Sequence, residues 1–333
     1  MSVSKKLTVS ASPHVRSSAT ATGIMLDVII ALIPSLIAAT VIFGYRVLMI
    51  TIVTVGSAVL SEYLCRKVMK RHNTIGDLSA VVTGLLLGFN LPVSIPLWMA
   101  AIGSVVAIVV VKQMFGGIGQ NFVNPALVGR IVLMASFPTQ MATWAAKSQF
   151  IDVSTTASPL SQLKTMFTEG SIRFEGDMPK LWQMLVGLRL GSVGEVCAAA
   201  LILGGIYLVI RRVISPAISL TYIGTVALIM LIAGKGNLTF VAYHLLSGGL
   251  MLGAIFMATD YSTTPINFKG KLIFGVGCGL LTAMIRLFGS LPEGVSFSII
   301  IMNILVPHIE RLTTPKPFGT PKEEKKKKEA EAK

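Results

Sequence analysis

Charge is what this 333-residue chain has least of: Asp, Glu, Lys and Arg make up 13% of it, against 53% hydrophobic residues. A mean hydropathy of +0.75 lies far above that of soluble domains, in which about a quarter of the residues are charged. A water-soluble globular fold is excluded on that ground, and an integral membrane protein is expected. Cysteine is also scarce. Cys65, Cys197 and Cys278 form no CxxC spacing and have no nearby His, so zinc, iron–sulfur and disulfide readings all fail. Metal ligation is therefore not expected. The opening stretch MSVSKKLTVSASPHVRSSATATG contains no apolar core of a cleavable signal peptide, and the first transmembrane helix is expected to act as the targeting signal.

What remains is mostly membrane-length apolar sequence. A helix needs roughly 20 apolar residues to cross the hydrocarbon. Long runs cover Ile24 to Phe43, Val47 to Leu64, Ile95 to Val111, Val193 to Ile210, Pro216 to Ala233, Phe240 to Met257 and Leu272 to Leu287. Shorter, interrupted runs cover Leu78 to Leu91, Pro125 to Phe137 and Val295 to Pro307. The expected fold class is an all-α membrane protein with about ten transmembrane helices, arranged as two inverted repeats of five, some helices being short or broken.

The net charge of +14 does not point to nucleic acid, because Lys and Arg fall between apolar runs or in the Lys-rich tail. They follow the positive-inside pattern instead. With the N-terminus in the cytoplasm, Lys5, Lys6, Arg16, Arg66, Lys67, Lys70, Arg71, Lys112, Arg211, Arg212, Lys269, Lys271 and the Lys325–Lys328 run all fall on that side. Both termini are then cytoplasmic, and the mixed-charge interval from Pro138 to Ser192 faces outward. The division this implies is a cytoplasmic segment at 1–23, a first repeat at 24–137, an outward loop at 138–192, a second repeat at 193–307 and a cytoplasmic tail at 308–333.

The halves echo one another. GLLLG at 84–88 returns as GLMLG at 249–253, and VVVKQMFGG around Lys112 returns loosely as AMIRLFGS around Arg286. Inverted repeats of this kind build sites near the membrane midplane from discontinuous helices. The glycines would equally serve close helix packing. Five charged residues fall in or beside the spans, Asp27, Glu62, Arg130, Asp260 and Arg286. Most sit near helix ends, where snorkelling suffices. Arg130, Asp260 and Arg286 are candidate ion or flavin contacts, and Arg130, inside the fifth span, is expected to pair with an acid or a flavin edge.

The outward loop holds the polar stretch IDVSTTASPLSQL at 151–163. By composition alone this is an exposed loop of Asx and ST turns. A different reading comes from three long stretches: GGIGQNFVNPALVGRIVLMASFPTQMATW at 116–144, HLLSGGLMLGAIFMATD at 244–260 and GKLIFGVGCGLLTAMIRLFGSLPEGVSFSIIIMNILVPHIE at 270–310. Together they resemble the D subunits of Rnf complexes, the ion-translocating ferredoxin:NAD oxidoreductases of bacterial cell membranes, which are related to the B subunits of sodium-translocating NADH:quinone reductases. The resemblance runs from the first span to residue 318.

In that family a Thr hydroxyl of the outward loop holds FMN through a phosphoester, in a motif similar to Asp-x-x-Ser/Thr-x-Ala-Thr followed by Pro-Leu. Asp152, Thr155, Ala157, Ser158, Pro159 and Leu160 fall on it, and Ser158 stands where the acceptor Thr is expected. Ser supplies the same hydroxyl but lacks the stiffening methyl. Thr156 and Thr155 are the neighbouring alternatives. The segment RSSATATG at 16–23 also carries Ser-x-Ala-Thr, but its cytoplasmic placement rules it out.

The resemblance implies covalent FMN as an electron relay, a flavin transferase, partner subunits carrying a second FMN and iron–sulfur clusters, and, by analogy with the quinone reductase, a second noncovalent flavin such as riboflavin. Two other readings stay open: a small-solute transporter or channel of similar inverted-repeat fold, and a flavin-free membrane scaffold.

Overall fold

The computed structural model describes residues 19–143, 159–169, 179–187, 191–195, 197–289 and 293–315. Among these residues all regular structure is helical. Helix α1 (Ala21–Phe43) opens on Thr20, whose side-chain oxygen accepts from the Gly23 N–H at 3.1 Å, an N-cap that gives this Thr a structural purpose. After Gly44 the chain turns into α2 (Arg46–Val68). Helix α3 (Ser79–Phe89) has 11 residues, roughly 16 Å at the standard rise, about half the hydrocarbon thickness. Beyond it residues 90–96 run without helix until α4 (Leu97–Val106), which passes into a π-helical stretch, Ala107–Gln113. Helix α5 (Pro125–Ser136) begins on Asn124, whose side chain caps the Ala126 N–H at 3.0 Å.

Three short helices, α6 (Pro138–Ala142), α7 (Pro159–Thr168) and α8 (Leu181–Val186), lead to the second half. That half comprises α9 (Ala198–Ile210), α10 (Pro216–Ala233), α11 (Leu238–Leu246), α12 (Leu250–Leu252) with its π-helical continuation Gly253–Met257, α13 (Phe268–Phe288) and α14 (Val295–Thr313). Helices α1, α2, α10, α13 and α14 are long and apolar enough to cross a membrane. Helices α11 and α12 qualify together as one span bent by 68°, while α3, α4 with its continuation, α5 and α9 are shorter apolar helices. The chain is a multi-pass membrane protein. In the first half α2 packs on α3 and α4, and α4 on α5; in the second α10 packs on α11 and α13, and α13 on α14. Helix α1 crosses over to pack against α9.

The apolar runs and the helices differ where backbone groups find other partners. The run from Phe240 to Met257 reads as one span, yet the helix stops at Leu246 and resumes at Leu250. The run from Val193 reads as helix, yet α9 starts at Ala198. The Val193 and Gly194 N–H groups donate instead to Leu91 O at 3.0 Å and Phe89 O at 2.8 Å. A turn before α9 thus satisfies carbonyls at and just beyond the end of α3. The final run is longer than it reads, since α14 continues through Pro307 to Thr313.

Small residues set the helix spacing. A Cβ added to Gly84 would lie 2.7 Å from Val55 Cα and 2.8 Å from Thr54 O, whereas one on Gly56 would meet nothing within 4 Å. Gly84→Val is therefore expected to force α3 away from α2 and cost about 1–3 kcal/mol. Gly56→Ala should be neutral or stabilise by about 0.5–1 kcal/mol through lower backbone entropy. Thermal unfolding in detergent, followed by helix signal, measures both; equal midpoints for the two variants would contradict the packing described.

Candidate functional site

Buried polar groups gather at two levels. The first lies at the basic end of the molecule, the end that carries Lys112, Arg211, Lys269 and Lys271. Here the Lys112 ammonium donates to Glu62 Oε2 at 2.8 Å and to Ser79 Oγ at 2.5 Å. Thr74 Oγ1 donates to Glu62 Oε1 at 2.7 Å, and Ser79 Oγ to Asp77 Oδ1 at 2.5 Å. Glu62 is 0% and Lys112 3% exposed, so this pair does not snorkel. Its charges are met by each other and by hydroxyls.

Beside the pair lies a small pocket open at one side, with walls that include Thr83, Lys112, Asn121, Phe256, Asp260 and Tyr261. Asp260, placed just past the span, accepts from the Ser262 N–H at 3.4 Å, Ser262 Oγ at 3.0 Å and Thr263 Oγ1 at 3.3 Å. Burial pushes its carboxyl above the ordinary range, against the pull of those donors. Asp27 belongs to the same end, accepting from Tyr207 Oη at 2.9 Å and lying 3.3 Å from Arg211 Nη2.

The second level lies toward the opposite end, around the break in the bent span. Arg130 Nη1 donates to Asn90 Oδ1 at 2.6 Å and lies 3.6 Å from Glu195 Oε1, while Nη2 pairs with Glu293. The partners come from different places. Arg130 rises from α5, Asn90 follows α3, Glu195 precedes α9, and Glu293 lies between α13 and α14. A Cβ on Gly249 would lie 2.8 Å from Glu195 Oε1, so that carboxylate stands at the N-terminus of α12, where the helix dipole favours negative charge. Arg286 takes the other side of the break. Its Nη1 donates to His244 O at 2.5 Å and its Nη2 to Ser247 O at 3.1 Å, capping carbonyls that α11 leaves open.

Of the residues singled out by sequence, Arg130 and Arg286 come together at this break, and Asp260 lies on the cavity wall at the other level. Asp152, Thr155, Thr156, Ala157 and Ser158 lie outside the described residues. Sequence reasoning missed Asn90, Glu195, His244 and Glu293. Glu195 and Glu293 stand in short Gly-containing stretches, GSVGE and LPEG, where an acid reads as an ordinary loop residue. The available signal was Arg130 itself, because an Arg inside a span requires an acid nearby.

The sequence pattern that defines the NQR2, RnfD, RnfE family matches residues 8–319. The chain is 45% identical, over 324 residues, to the D subunit of the Na(+)-translocating ferredoxin:NAD(+) oxidoreductase complex of Acetobacterium woodii, a match that covers 97% of this chain and 98% of the relative. It is 42% identical to the D subunit of the proton-translocating ferredoxin:NAD(+) oxidoreductase complex of Clostridium ljungdahlii, over 94% of this chain and 96% of the relative. To the D subunit of the ion-translocating oxidoreductase complex of Stutzerimonas stutzeri it is 36% identical, over 89% and 91%.

The buried Lys112–Glu62 pair makes a direct test of the basic-end level. Glu62→Gln leaves a buried ammonium without its counter-charge and is expected to destabilise the protein by about 3–5 kcal/mol, whereas Glu62→Gln combined with Lys112→Met should recover most of that loss. Unfolding midpoints of the two variants in detergent decide it, and additive losses would show that the pair is not coupled.

Proposed function

Because the chain belongs to the NQR2, RnfD, RnfE family, we propose that it is the D subunit of an Rnf-type complex that couples ferredoxin and NAD redox chemistry to Na+ or H+ movement, with FMN esterified to Ser158 as an electron relay. One observation carries the reading: similarity to the D subunits of such complexes extends over 97% of the chain, and within that length Asp152, Thr155, Ala157, Ser158, Pro159 and Leu160 keep the order of the acceptor motif. Attachment is a phosphoryl exchange. The Ser158 hydroxyl oxygen attacks the FMN-side phosphorus of FAD, the anhydride bond breaks, AMP leaves and the hydroxyl proton is lost. A flavin transferase outside the cytoplasm performs it.

Does the chain offer surroundings that suit such a group? Pro159 and Leu160 open α7, and Leu160 packs over the break at Gly248. Buried there without a hydrogen-bond partner among the described residues are Ser247 Oγ, both ring nitrogens of His244 and Arg286 Nε. A polar group held at the head of α7 suits that environment. FMN supplies one- and two-electron redox chemistry when bound; the protein supplies position and electrostatics. Electrons enter from and leave to partner subunits, among them a second FMN subunit and iron–sulfur subunits.

A second, noncovalent flavin such as riboflavin belongs to the same reading, by analogy with the related quinone reductases. The orientation that accompanies this reading is a bacterial inner membrane protein with both termini and the basic end in the cytoplasm and Ser158 outside.

The cavity and the bent span would also suit a small-solute transporter, and flavin content separates the two. Denatured protein made together with the transferase is expected to fluoresce on a gel under ultraviolet light, and Ser158→Ala to be dark. A fluorescent Ser158→Ala band moves the attachment to Thr155 or Thr156. A dark wild-type band brings the transporter or a flavin-free scaffold to the front.

A further inference from the structure

Leu48, Ile52, Gly56, Leu60 and Leu64 recur every four residues along α2 and are all exposed, so they form the face that this helix turns away from the protein. A Cβ on Gly56 would meet nothing within 4 Å, which leaves the face open at its middle. At the basic end the helix runs into Lys67, Lys70 and Arg71, and all three are exposed. None of them forms an ion pair among the described residues, and neither does Arg66 beside them. From Leu60 to His72 and from Ala107 to Val123 the sequence holds one acid, Glu62, which Lys112 already takes. This patch is therefore strongly positive.

The turn that follows the π-helical stretch after α4 borders it. Gly116, Gly117 and Gly119 have left-handed φ of +124°, +113° and +79°, a path that L side chains rarely follow. Arg66, 8% exposed, seats this turn on α2: its Nη2 donates to Gly116 O at 3.4 Å, and a Cβ on Gly117 would collide with the same nitrogen. The Ile118 and Gly119 N–H groups find no acceptor among the described residues, and a Cβ on Gly119 would meet nothing within 4 Å. Such open amides in a glycine turn suit an anion. Phe115 and Phe122 flank the turn, both about half exposed, with ring centres 4.9 Å apart. Lys67 Nζ stands 5.9 Å from the centre of the Tyr63 ring.

We infer that the end of α2 and the Gly116–Gly119 turn bind an anionic phospholipid. Lys67 and Lys70 meet the phosphate, the turn offers its open N–H groups to the same headgroup, and an acyl chain lies along Leu64, Leu60 and Gly56. Arg66 is a positioning residue that holds the turn against the helix. Cations interleaved with exposed rings, at the end of an outward aliphatic face, match the layered chemistry of a lipid headgroup and its tail. An acidic protein surface would answer the cations but would leave Phe115, Phe122 and the aliphatic face of α2 uncovered. The rival account makes Lys67 and Lys70 general topology signals. In that case they are interchangeable with Lys269 and Lys271, which lie at the same end and form no ion pair among the described residues.

The test places the full chain in nanodiscs of mixed phosphatidylcholine and phosphatidylglycerol, releases it into detergent and counts the retained lipids by native mass spectrometry. Lys67→Gln with Lys70→Gln is expected to lower retained phosphatidylglycerol severalfold and leave phosphatidylcholine unchanged. Lys269→Gln with Lys271→Gln removes the same charge from the same end and should retain phosphatidylglycerol as the wild type does. Equal losses in the two double variants overturn the inference, because charge alone then explains binding. If the Lys67 and Lys70 variant fails to fold, Gln120→Glu decides, since it adds an acid to the exposed turn and keeps every cation: lowered retention supports the site and wild-type retention overturns it. A folded Lys67 and Lys70 variant that keeps its phosphatidylglycerol but no longer co-purifies with partner subunits assigns the patch to an acidic protein and also overturns the inference.

Discussion

A helix that breaks inside a membrane frees carbonyl and amide groups where no bulk water can meet them, and this chain meets them with arginine side chains and with backbone. Arg286 closes the end of α11 through His244 O and Ser247 O. Arg46, exposed at the start of α2, closes the stretch after α3, its Nε donating to Val93 O at 2.8 Å and its Nη2 to Ile95 O at 3.2 Å. The residues before α9 add a backbone patch, pairing with Phe89 O and Leu91 O. Half-helices are costly in lipid unless such partners exist, so the arginines are conditions of the fold as much as features of a site.

Those cations then impose requirements of their own. Each buried positive charge must find a negative one or a set of aligned dipoles. Lys112 finds Glu62, and Arg130 finds Glu195 and Glu293. The Arg130 cluster joins α5 of the first half to Glu195, ahead of α9, and to Glu293, between α13 and α14, so the two halves are held together by charge at the level where the bent span is interrupted. Glu195 serves twice, as partner to Arg130 and as negative charge at the start of α12. Arg286 donates to the two carbonyl dipoles, with Glu293 close by across Gly248.

Much of this architecture was legible in the sequence, for identifiable reasons. The span from Pro216 to Ala233 agrees with α10 at both ends, because Pro favours the first helical turn and Gly234 follows the last. The half-membrane length of α3 was visible as a short apolar run. The interruption at Ser247–Gly249 was half legible: the Gly-rich GLMLG at 249–253 suggested a broken helix, but the same glycines read equally as close packing, and an apolar count does not place the break. Glu195 and Glu293 were hidden because nothing local marks a turn acid that tertiary folding buries against Arg130. Thr20 shows the opposite hazard: a hydroxyl-rich motif whose letters suggest attachment turns out to cap a helix.

The chemistry proposed for this framework depends on one covalent bond, and the mass of the peptide that contains residues 151–163 tests it most directly. After expression with the flavin transferase, the account predicts that this peptide carries the added mass of FMN and that fragmentation locates it on Ser158. An unmodified peptide under those conditions, from protein confirmed to be folded and in the membrane, would contradict it.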